Sequence, residues 1–202
     1  TASNNVAVGT YALTENTTGS ENIAMGRSAL EANSTGAGNV AIGHSALDEN
    51  TNASYNTAIG YRAAANNTTG TGNSILGAEA GDSLTTGSYN TAIGSQALTT
   101  VSQNYNTAVG YNAMGAATNG QQNTAVGYFS MPVLTTALYN TAIGLQSGRD
   151  VTSGSDNVFL GYRAGDGLSP SGSITTQSNR IVMGNNSATH GYILIDWTVT
   201  SD

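Results

Sequence analysis

The sequence predicts an all-β protein, a parallel β-solenoid with 17-residue coils, and three observations predict it. A five-residue unit, Asn-x-Ala-(Ile/Val)-Gly, recurs ten times between Asn5 and Gly161, at spacings of 17 with a single 16. A unit of 17 residues is too short for a helix pair, whose repeats run to about 33 residues or more. The composition is also unusual, with 8% charged residues, 26 glycines and 2 prolines in 202 residues. An ordinary globular domain carries about 25% charged residues, and a disordered chain is usually rich in charge or proline.

The units begin at Asn5, Asn22, Asn39, Asn56, Asn73, Asn90, Asn106, Asn123, Asn140 and Asn157. A degenerate eleventh, Ile181-Val182-Met183-Gly184, follows a longer gap. In each unit the motif reads as a short strand. In Asn56-Thr57-Ala58-Ile59-Gly60, one face carries Thr57 and Ile59 and the other Ala58, by the period-two alternation of a strand. Seven and eight residues after the asparagine stands a second pair, such as Ala46-Leu47 or Ala97-Leu98, which predicts a second strand. Between that pair and the next asparagine come turn residues such as Thr35-Gly36 and Thr86-Gly87, since glycine and asparagine reach positive φ cheaply.

Small apolar residues on one face and larger ones on the other predict burial on both sides. One face fills the coil; the other forms an apolar stripe along the rod, the mark of an interface. This predicts a homo-oligomer with its axis parallel to the rod. The expected arrangement puts the Ile/Val column inside and the Ala column toward the axis, with the reverse left open. The asparagines Asn22, Asn39, Asn56, Asn73, Asn90, Asn106, Asn123, Asn140 and Asn157 then stack about 4.8 Å apart, as a structural ladder of amide hydrogen bonds.

Charge and composition exclude several functions. A net charge of −7 and a pI near 4.4, with no lysine and five arginines, do not make the basic stripe that nucleic acid requires. Absence of cysteine rules out disulfide frameworks and thiolate zinc sites. No apolar run approaches the roughly 18 residues of a membrane-spanning helix, so no membrane insertion is expected. No charged segment followed by an apolar stretch opens the sequence at Thr1, and the chain reads as a piece of something longer.

With the motif laid out, a resemblance is clear. Asn90-Thr91-Ala92-Ile93-Gly94-Ser95-Gln96-Ala97-Leu98 resembles the head repeats of trimeric autotransporter adhesins, the YadA-like heads, which also occur in bacteriophage tail fibres. The resemblance covers most of the chain. It implies a trimer of left-handed parallel β-rolls, hence two identical partner chains, that binds a host cell-surface glycan or protein. The segments Asn179–Asn186 and Trp197–Asp202 are similar to the stretch that precedes an intramolecular chaperone domain in phage tail fibres. That similarity implies a self-cleavage bond at Ser201-Asp202 and a place in the virion, on the tail fibre.

Other residues have plainer readings. Tyr55, Tyr89, Tyr105 and Tyr139 precede the motif asparagine, and Tyr61, Tyr111, Tyr128 and Tyr162 follow the motif glycine. The second set offers carbohydrate contacts, since tyrosine has an apolar face and a polar tip; packing between coils or chains is the plainer account. Asp48, Glu49, Asp150, Asp156 and Asp166 fall in turns and read as solvated, not as the paired carboxylates of a glycosidase. His44 and His190 are isolated, so no metal, cofactor or catalytic triad is expected. Sequons such as Asn16-Thr17-Thr18 follow from composition.

The predicted organisation is a β-roll of ten repeats over 1–165, an insertion loop over 166–178, and a terminal strand and short β-rich neck over 179–202, with Trp197 as the buried anchor. Pro132, after Met131, fits a turn or edge. The functional expectation is a non-catalytic structural or receptor-binding segment of a trimeric phage tail fibre. The alternatives are a bacterial trimeric adhesin head and, on other chemistry, a polysaccharide depolymerase solenoid or an ice-binding solenoid.

Overall fold

The computed structural model describes residues 1–100 and 103–187. They hold no helix and eleven strands of three residues. In chain order these are β1 (Val6–Val8), β2 (Ile23–Met25), β3 (Val40–Ile42), β4 (Thr57–Ile59), β5 (Ser74–Leu76) and β6 (Thr91–Ile93). They continue with β7 (Thr107–Val109), β8 (Thr124–Val126), β9 (Thr141–Ile143), β10 (Val158–Leu160) and β11 (Ile181–Met183). All pair in parallel, each with the next, in a single sheet. The chain is a parallel β-solenoid with one strand per coil.

Register follows the repeat. Ala41 pairs with Ala58, and Ala92 with Ala108 across the 16-residue step. Phe159 pairs with Val182 across the long step, so the sheet runs past the insertion into β11. The extra residues leave the coil wall between Gly165 and Ile174, whose backbone N–H and C=O close the excursion at 2.8 Å. Within it Asp166 and Ser169 are buried. The expected neck, with Trp197 and the Ser201-Asp202 bond, lies outside the described residues.

The second strand of each coil is not a strand. Its residues take left-handed backbone at alternate positions: φ is 53° at Arg62 and 50° at Ala64, 54° at Ser45 and 51° at Leu47. This conformation costs a non-glycine residue about 1–2 kcal/mol. It turns peptide groups along the stacking axis while the chain bends round. Arg62 N–H donates to His44 C=O at 2.9 Å, toward the coil before, and Ala64 N–H to Ala80 C=O at 2.9 Å, toward the coil after. The bend therefore carries an inter-coil ladder like that of the strand, and such bonds offset the strain at roughly 1 kcal/mol each.

The interior also reverses the expected placement. The mid-strand alanines Ala24, Ala41, Ala58, Ala92, Ala108, Ala125 and Ala142 are fully buried, while Val8, Met25, Ile42 and Ile93 lie outside. The reason is volume. The space opposite each strand is already filled by the second pair, in which Leu30, Leu47, Leu98, Met114 and Met131 are fully buried. The two positions trade volume in two coils, and space is also shared between coils, since Ala142 and Gly148 are both small and a Cβ on Gly148 would stand 3.1 Å from Phe159 Cδ2. Ile75 replaces the alanine where Gly81 replaces the leucine, and Phe159 does so with Gly165. A Cβ on Gly165 would stand 2.4 Å from Phe159 Cδ1.

The motif glycine has its own necessity. At Gly60 φ is 139°, and a Cβ there would stand 2.4 Å from the carbonyl oxygen of Gly77 in the next coil.

Candidate functional site

The motif asparagines form a buried spine that ties each coil to the next. Each is buried, apart from the half-buried Asn5 at the first coil. Each carboxamide oxygen accepts the backbone N–H of its counterpart one coil on, as from Asn73 to Asn56 at 2.9 Å and from Asn157 to Asn140 at 3.0 Å. Each Nδ2 donates to a carbonyl of the turn that follows, as from Asn56 to Gly70, 14 residues on, at 2.8 Å; the separation is 13 at Asn90 and 20 at Asn157, across the insertion. Direct amide-to-amide bonds add to this at Asn39, Asn73, Asn90, Asn123 and Asn140, at 3.1–3.4 Å.

A second ladder was legible in the sequence and was missed. Asn16, Asn33, Asn50 and Asn67 also stand 17 apart. Asn33, Asn50 and Asn67 each donate Nδ2 to the preceding member, at 3.0, 2.8 and 3.1 Å. The column then changes to Leu84, and Asn67 Oδ1 is left buried without a partner. Burial of Asn33 and Asn67 also closes the sequons that begin there.

With the asparagines and alanines turned inward, the outward face of the sheet is left to the first and third residue of every strand. The third residues form an unbroken aliphatic column, with Val8 54%, Leu76 48%, Ile93 40% and Met183 58% exposed. The first residues are Val6, Ile23 and Val40 at one end, Val158 and Ile181 at the other, and Thr57, Ser74, Thr91, Thr107, Thr124 and Thr141 between. Ten steps of about 4.8 Å make this face about 48 Å long.

Aromatic columns flank the face. On the side before the asparagine, Tyr89 and Tyr105 stack with centroids 5.4 Å apart and planes 6° apart. The Tyr55 ring leans back over Gly38, where a Cβ would stand 2.9 Å from the ring. On the other side Tyr61, Tyr111, Tyr128 and Tyr162 are all exposed. Tyr61 stacks on His44 at 5.5 Å, Tyr111 on Tyr128 at 5.4 Å, and Phe129 tilts against both of the latter. The Arg163 guanidinium lies 6.0 Å from the Tyr162 ring.

Several carboxylates are engaged locally. Asp150 accepts from Ser173 Oγ at 2.7 Å and Gly167 N–H at 3.2 Å, pinning the insertion. The buried Asp166 pairs with Arg163 and caps Leu168 N–H. Asp82 pairs with Arg62 at 3.1 Å and holds that guanidinium above its usual range. Burial raises the Asp48 carboxyl, partly offset by a hydrogen bond from Ser45, and nearby Glu31 raises it further. Among the described residues no group of three or more His, Cys, Asp or Glu side chains could hold a metal ion, and no helix is long and apolar enough to cross a membrane.

No protein-family model, curated protein or solved structure matches the chain. The surface offers a long apolar face, flanked by tyrosines, on a scaffold whose polar backbone groups are tied from coil to coil.

Proposed function

We propose that the chain is a non-catalytic attachment rod, a shaft or receptor-binding segment of a trimeric bacteriophage tail fibre whose three solenoids pack through their outward sheet faces. The observation that carries this reading is the exposed aliphatic column. With the tyrosine column that precedes the asparagine the face is about 16 Å wide and 48 Å long, close to 800 Å². A stable interface buries about 800 Å² per partner. The two strand columns are unlike, one threonine-rich and one aliphatic. That supports a cyclic contact in which one chain's column meets the other column of its neighbour. The number three and the phage setting come from the repeat's resemblance to tail-fibre and adhesin heads. Its work is mechanical: a stiff rod presents weak surface contacts in three copies, and linked copies raise avidity.

Titrating the labelled chain onto a panel of bacterial cells tests this. The reading predicts saturable retention on some strains and none on others. It also predicts weaker retention for the double variant Ile59→Asp, Ile93→Asp, which places charges in the shared face. Uniform, unsaturable retention, or full retention by a dissociated variant, would contradict it.

A further inference from the structure

The tyrosine column that follows the motif glycine contains a gap. From His44 it runs Tyr61, Ala78, Ser95, Tyr111 and Tyr128, one residue per coil. Adjacent rings stack at 5.4–5.5 Å with planes 19° apart. That spacing is close to the rise of one coil, about 4.8 Å, so the near-parallel rings are offset, and a ring at the end of a stack keeps one face uncovered by its column. Tyr61 has one face on His44 and the other toward Ala78. Tyr111 has one face on Tyr128 and the other toward Ser95. Neither short side chain reaches across, so two bare aromatic faces bound a notch three coils long, about 14 Å from ring to ring.

Polar groups stand beside the notch. Glu79 and Gln96 directly follow its two floor residues, and Gln96 Nε2 donates to Glu79 Oε2 at 3.0 Å. That bond leaves a carboxylate oxygen, an amide oxygen and a second amide hydrogen to meet a ligand. Arg62 is occupied by Asp82, and the chain carries −7 overall, which disfavours an anionic ligand.

We propose that this notch binds a neutral glycan. The apolar C–H faces of two sugar rings stack on Tyr61 and Tyr111, and hydroxyls between them donate to Glu79 and exchange hydrogen bonds with Gln96. Aromatic rings with convergent polar groups suit a ligand that is apolar on its faces and polar at its rim. The half-exposed Glu79–Gln96 and Arg62–Asp82 pairs belong to the wet rim of an interface, not its dry centre, so the notch stays open when the strand face is covered. Its biological sense rests on the attachment reading; its geometry rests on one chain.

The test is titration calorimetry and saturation-transfer NMR of the full chain with maltohexaose, cellohexaose and chitohexaose. The unmodified chain is expected to bind at least one of them. Binding should fall about tenfold or more, which is about 1.4 kcal/mol, in Tyr61→Ala and in Ala78→Tyr. The second variant fills the notch with a ring that this column already accepts at Tyr111 and Tyr128. Tyr139→Ala, in the other column, should leave binding unchanged. Failure of all three sugars to bind, or binding that survives Ala78→Tyr, overturns the proposal. Sedimentation of the same samples reports the oligomer separately, so loss of glycan binding is not confused with failure of the trimer.

Discussion

The asparagine ladder and Asp48 show how the stack sets the cost of a single side chain. In the ladder of Asn16, Asn33, Asn50 and Asn67, every carboxamide oxygen but the last is satisfied by the coil that follows. An unmet buried acceptor costs about 1–3 kcal/mol. Asn67→Leu moves the orphan to Asn50 and leaves their number unchanged, and Leu84 shows that the column accepts leucine. Asn50→Leu adds a second orphan, at Asn33. Denaturant melts are therefore expected to find Asn67→Leu near neutral and Asn50→Leu destabilising by about 1–3 kcal/mol. Asp48 acts through pH. Its folded-state carboxyl is raised, chiefly by burial, so ionisation at neutral pH weighs against the native state. Asp48→Asn should raise Tm at pH 7 by no more than about 2 °C, since the group is partly solvated. That gain should vanish as pH falls through the carboxyl's own titration. A gain that persists in acid would assign the effect elsewhere.

The interior is a volume shared between a mid-strand residue, the residue six positions on and, as where Gly148 meets Phe159 and Met131, the neighbouring coils. Ala41 with Leu47, Ile75 with Gly81 and Phe159 with Gly165 are three solutions of the same packing. Phe159→Ala is expected to cost about 3–5 kcal/mol by opening a cavity. Gly165→Leu in that background rebuilds the Ala-Leu pair and should recover a large part of the loss. Gly165→Leu alone drives a side chain into the Phe159 ring, so a double-mutant cycle should show strong coupling. The motif and its period made the strands, their register and the sheet order legible. The side of the sheet was not legible, because alternation separates two faces without saying which is inside; that choice depended on the leucines arriving from across the coil. The left-handed bend was hidden too. Its positive φ falls on leucine, serine and arginine, residues that rarely signal that conformation, and stacking rather than local preference sustains it.

At the scale of the molecule, one side is settled and the other is unfinished. The inside of the rod is closed by alanines, leucines and two asparagine ladders, and the wall by hydrogen bonds between coils. The outside keeps a continuous aliphatic column from Val8 to Met183. The gap between Tyr61 and Tyr111 is written in the sequence as Ala78 and Ser95, whereas the ring faces it leaves uncovered depend on how the neighbours stack. The central claim is that further copies of the chain dry this face. Sedimentation equilibrium of the purified chain in physiological salt tests it most directly. The account predicts a single species near three times 20.4 kDa, falling toward one chain in Ile59→Asp, Ile93→Asp. A stable, soluble species at 20.4 kDa across the accessible concentration range would contradict it.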